Sequence, residues 1–176
     1  MAPILARASR RQTAGATIIE VVLAGAIVAL FLGSLFVLNS TGIGVVKAHR
    51  ETAAANLCLQ ERVEQARAAN WTEITDATWI KDQILQAPAP ASSLLRNLEE
   101  QITVSVYPPP AVAVAATTVR RRSDGQVDIV SRMSAPTIAG LQTIRLDFRD
   151  TWLSAQNSRT RVRETSTVFA LGGIGK

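Results

Sequence analysis

Arg10-Arg11-Gln12-Thr13-Ala14-Gly15-Ala16-Thr17-Ile18-Ile19-Glu20-Val21-Val22-Leu23 opens the stretch on which the reading of the chain turns. Behind it, Val21 to Val46 carry no charged residue. A helix of about 20 apolar residues crosses the hydrocarbon core of a bilayer, so this run is long enough to span one. Glu20 does not suit a plain anchor. A carboxylate in or near hydrocarbon is costly unless it lies at the interface or finds a partner. A cleaved secretory signal fits less well than either. Its apolar core is shorter and ends in small residues, whereas no small-x-small site closes this run before another helical segment begins.

The same stretch resembles the class III signal of type IV prepilins and pseudopilins. In that family a short basic leader ends in Gly, and a peptidase cuts after it on the cytoplasmic side and methylates the new amine. The apolar helix is kept. The resemblance implies a cut after Gly15, a mature N-terminus at Ala16 and an assembly role for Glu20, fifth after the cut. The first mature residue is usually Phe in the family and is Ala16 here, which leaves methylation open. An α-amine has a pKa near 7.7–8.0 before methylation. The family is thought to pair it with the Glu of a neighbouring subunit, a buried pair that sets register more than it adds stability.

Length and composition fit an anchor plus a head. The chain has 176 residues, about one domain. The expected division is leader 1–15, membrane and assembly helix 16–46, soluble half of the helix 47–70, an αβ-loop region 71–101 and a sheet head 102–176. Removing Arg7, Arg10 and Arg11 with the leader leaves 16 basic against 14 acidic residues, a net of +2. The basic balance of the whole chain is therefore partly a targeting feature. Those arginines orient the N-terminus to the cytoplasm and the head outside. Cys58 is the only cysteine, so no disulfide can form within the chain.

The helical pattern continues from Lys47 to about Asn70, rich in Ala, Gln, Glu and Arg. Ala48, Thr52, Ala55, Leu59, Val63 and Ala66 form one stripe, and Asn56, Gln60, Glu64 and Arg67 the wet face. One helix from Thr17 to Ala69 is expected, with Glu64 and Arg67 paired at i,i+3. Ala29-x-x-x-Gly33 and Ser40-x-x-x-Gly44 place small residues where another helix can pack closely. Beyond Trp71 and Trp79, the segment Gln86–Ser93 reads as a loop and Leu94–Glu100 as a short helix. Ile102, Val104 and Val106 alternate like a strand that Pro108-Pro109-Pro110 ends. Val112–Arg120 and Gln126–Arg132 flank the turn Ser123-Asp124-Gly125. Ile144, Leu146 and Phe148 mark another strand and Arg161–Leu171 the last. Four or five antiparallel strands with one apolar face would pack on the soluble half of the helix. The expected class is α+β, with a pilin-like layout.

Catalytic constellations are thin. His49 reads as a solvated helix residue, and one His with one Cys does not make an ordinary zinc site. There is no G-x-S-x-G elbow. Gly172–Lys176 lacks the following helix a phosphate loop needs. Asp124 and Asp128 are too few for calcium, which takes six to eight oxygens. Arg120-Arg121-Arg122, with Arg161 and Arg163, is the sharpest basic cluster; nucleic acid is the lesser reading and protection of an edge strand the greater. Cys58, one residue off the stripe, reads as a packed thiol. The expectation is a structural filament subunit with no enzymatic activity, cofactor or metal. Its expected partners are other pilin subunits, prepilin peptidase and an inner-membrane assembly platform. The alternative is a membrane-tethered binding module outside the cytoplasm that does not polymerise.

Overall fold

The computed structural model describes residues 18–111 and 114–172. Gly15, Ala16 and the leader therefore lie outside the described residues, as do Val112 and the end of the C-terminal tail. The chain divides into two compact units, with the boundary between Ile43 and Gly44.

Helix α1 runs from Ile18 to Ala68. The part from Ile18 to Ile43 is exposed throughout, and Leu30 at 75% and Phe36 at 74% exposure lie on it. It belongs to the one described helix long and apolar enough to cross a membrane. From Gly44 onward α1 is part of the second unit and packs through Gly44, Glu51, Ala54, Ala55, Cys58, Leu59, Arg62 and Ala66. The expected stripe is thus right at Ala55, Leu59 and Ala66, while Ala48, Thr52 and Val63 are only half-buried. The buried arc is turned toward Ala54, Cys58 and Arg62, so Cys58 lies on the packed face rather than beside it. Glu64 and Arg67 pair on the wet face at 2.8 Å.

Short helical pieces follow: α2 (Trp71–Ile74) and α3 (Ala77–Trp79), the latter continued by a π-helical segment, Ile80–Leu85. Asp76 caps α3 by accepting from the Thr78 amide at 2.9 Å. Ile74, Ile80, Ile84 and Leu85 are driven into the core.

Five antiparallel strands follow: β1 (Arg96–Val106), β2 (Thr117–Arg121), β3 (Val127–Ser131), β4 (Thr143–Leu153) and β5 (Thr160–Ala170). A short helix, α4 (Ala135–Ala139), joins β3 to β4. Their order is β3-β2-β1-β4-β5. The expected helix at Leu94–Glu100 is not there. A 3-10 turn at Ser92–Leu94 leads directly into β1. Central pairing explains the difference: Glu99 and Glu100 sit opposite Thr151 and Asp150 of β4, where their backbone groups join the ladder.

The β2–β3 turn follows its sequence signal. The Arg122 amide donates to the Gln126 carbonyl at 2.8 Å, and Gly125 takes φ +89°. An L side chain at that φ is strained by about 1–2 kcal/mol. Gly125→Ala is therefore expected to lower the unfolding free energy by about that amount, read from the denaturant midpoint. An unchanged midpoint would show that the turn relaxes into another type.

The core falls into two apolar clusters. The larger is built on Leu59, Ile74, Ile80, Leu85, Ile102, Val104, Ile144, Leu146 and Phe148. The smaller holds Ala54, Ala55, Cys58, Ala89, Leu95 and Trp152.

Candidate functional site

Glu20, the residue to which the sequence assigns assembly, lies exposed in the first turn of α1. An acidic side chain there interacts favourably with the helix dipole. Around it the surface is apolar: Ile18, Ile19, Val21, Val22 and Leu23 are all exposed. Gly25, Gly33 and Gly42 have open space where a Cβ would stand. Gly44 does not. A Cβ built there would meet Nε2 of Gln156 at 2.5 Å. The small residue of Ser40-x-x-x-Gly44 thus serves the head's own β4–β5 loop. The same loop is held about two turns further along, where Glu51 Oε1 accepts from the Ala155 amide at 2.8 Å.

Between the two apolar clusters of the head lies a buried layer of charge. Arg62 of α1 and Glu100 of β1 are each 2% exposed. Arg62 Nε donates to Glu100 Oε1 at 2.8 Å and Nη2 to Oε2 at 3.1 Å, a two-toothed pair. Its remaining N–H groups reach the carbonyls of Ala87 and Ile84 and Oε1 of Gln65. A guanidinium has five N–H donors, and each finds an acceptor here. Arg121 of β2 adds a weaker contact to Glu100 at 3.3 Å. On the other side of Glu100, directly opposite in β4, stands Asp150, 2% exposed.

Among the described residues, Asp150 Oδ2 has no hydrogen-bond partner. Burial pushes its carboxyl up to about 7, the Glu100 charge adds to the rise, and Arg62 opposes it. The Cys58 thiol is pushed up to about 12, mostly by burial and then by Asp150 and Glu100. A thiol so raised stays protonated and unreactive. Geometrically, the layer can clamp helix, loop and sheet in one register. Charges facing one another across a sealed interface tolerate no slip, because a displaced partner leaves the other unpaired.

The other sequence candidates are separated by the topology. Arg121 points to Glu100, whereas Arg120 stands opposite Asp128 and Arg122 pairs with Asp128 at 2.9 Å. Arg161 and Arg163 are on β5, with β1 and β4 between them and β2, so the five arginines are not one patch. Asp124 and Asp128 use their oxygens within the hairpin, accepting from the amide and side chain of Gln126. His49 is exposed on α1. Among the described residues, no three of His, Cys, Asp and Glu gather where a metal could be held. Sequence reasoning missed Arg62, Glu100, Asp150 and Glu51.

No protein-family model, curated protein or solved structure matches the chain.

Proposed function

We propose that the chain is a type IV filament subunit, a minor pilin or pseudopilin, made as a precursor and cut after Gly15. The carrying observation is one of spacing: a basic leader, Gly15, then Glu20 at the start of an uncharged run that lies exposed on α1 as far as Ile43. An α+β head whose sheet packs on the later part of the same helix supports it. In this reading α1 is first the inner-membrane anchor, with the head outside the cytoplasm. It then packs against the helices of neighbouring subunits. Glu20 pairs with the amine of an adjacent Ala16, fixing the axial step between subunits. The prepilin peptidase and an inner-membrane platform are the implied partners.

The test is the mass of the N-terminal peptide of the protein made with and without a prepilin peptidase. A peptidase-dependent start at Ala16 is expected, with or without one methyl group. A chain retaining residue 1 in both cases would end the prepilin reading and leave the tethered binding module. Glu20→Ala is expected to keep the processed protein in the membrane while abolishing its recovery in sheared filaments. Undiminished recovery would remove Glu20 from assembly.

A further inference from the structure

The end of the head that carries Gly44 gathers cations. Elsewhere, Arg62, Arg67, Arg121, Arg122, Arg145 and Arg149 each pair with a carboxylate. Lys81, Arg120, Arg132 and Arg163, without an ion pair among the described residues, are spread over separate segments. At this end, Lys47 and Arg50 follow the apolar run directly on α1. Arg159 closes the β4–β5 loop, Arg161 follows on β5, and Arg96 starts β1 opposite Leu153. None of these five makes an ion pair among the described residues. Glu51, the residue after Arg50, is buried and engaged with the Ala155 amide.

The position of this end matters as much as its charge. Gln156 lies against Gly44, so the loop tip reaches back to the level of the last residues of the uncharged run, Gly44–Val46. Val21–Val46 as a helix measures roughly 39 Å, longer than a ~30 Å hydrocarbon core, so its ends reach the headgroup zone. Lys47 and Arg50 rise only about 5 Å further along the axis. Lys47, Arg50 and the loop residue Arg159 thus belong to the end nearest the headgroups, where screening acts over about 8–10 Å. Arg96 and Arg161 stand further along, level with Trp152, which packs beside Ala54, Ala55 and Cys58. The loop Ala155-Gln156-Asn157-Ser158 carries neither an acid nor a large apolar side chain, which suits a polar surface and not an apolar one.

We propose that this basic collar docks the head on anionic phospholipid headgroups. The proposal rests on the membrane anchoring read for α1 and not on filament assembly. Each Lys or Arg near an anionic surface shifts the docked population by about fivefold, so several acting together favour a head held down over one held away.

The test uses the full chain in nanodiscs, with a fluorescent probe on Asn157→Cys; Cys58 is buried and does not compete for label. A second probe on Leu30→Cys reports insertion. Quenching of the Asn157→Cys probe by a headgroup quencher is expected to rise several-fold when phosphatidylglycerol joins phosphatidylcholine. It should fall back in ~1 M salt, where the screening length is ~3 Å, and in Arg50→Gln/Arg159→Gln. Indifference to lipid charge, with the Leu30→Cys probe quenched by an acyl-chain quencher, overturns the collar alone. The same rise produced by inorganic phosphate in neutral nanodiscs also overturns it, since the site would then be for a free anion. A Leu30→Cys probe that escapes the acyl-chain quencher removes the anchor and the collar together.

Discussion

Glu100→Leu is expected to lower the unfolding free energy of the head by about 3–5 kcal/mol, because it strands Arg62 in a sealed layer. Arg62→Met should cost a similar amount, leaving Glu100 only the weaker Arg121 contact and depriving the Ile84 and Ala87 carbonyls of a donor. The informative construction is the double variant. If the penalty of each single change is mostly an orphaned charge, then removing both charges recovers much of it, and the two costs fail to add by about 2 kcal/mol or more. Recovery should stop short of complete, since the two carbonyls and Arg121 still lose a partner, and an unmade buried hydrogen bond costs about 1–3 kcal/mol. Denaturant unfolding of the full chain in detergent, followed through buried Trp152, reads all four corners. Additive losses would show that the layer is not one coupled unit. Arg67→Ala on the wet face is the control, expected to cost about 0.5 kcal/mol or less.

That contrast also explains what the sequence made legible. The exposed helix, the alternation of Ile144, Leu146 and Phe148, and the Asp124-Gly125 turn each carry a pattern that local physics imposes. The charged layer does not, because pattern reading assigns charge to the solvent. Yet each member keeps the inward phase of its element. Glu100 continues Ile102 and Val104 backward by two, Asp150 falls between Phe148 and Trp152, and Arg62 stands three and four residues from Leu59 and Ala66. The alternation could have been followed through Glu100, and the expected helix at Leu94–Glu100 would then have become the first half of β1. Strand order was beyond reach. Nothing local tells Arg120 that Arg163 will be three strands away, since order is set by which faces the whole sheet buries.

Asp150→Asn is expected to raise stability at neutral and mildly alkaline pH while leaving it unchanged near pH 4. Folding lifts the Asp150 carboxyl from 3.8 to about 7, with burial the first cause and the Glu100 charge the second. The folded state therefore keeps a proton that the unfolded chain releases between those values. The sign follows: its contribution is fully present below pH ~4, is lost as pH rises, and is gone above pH ~7. A shift of that size corresponds to about 4 kcal/mol at 1.36 kcal/mol per pH unit. Asn keeps the shape and removes the titration, so this part of the slope should vanish. The readout is the difference between wild-type and variant curves, in which contributions common to both cancel. That difference should open from near zero at pH 4 to several kcal/mol at pH 8. Parallel curves would mean that Asp150 is ionised and satisfied in the folded head, and that the layer holds two negative charges against its arginines. The two variants thus separate the forces in the layer: the Arg62–Glu100 cycle measures how tightly paired charges hold helix to sheet, and Asp150→Asn measures what the unpaired carboxyl beside them costs.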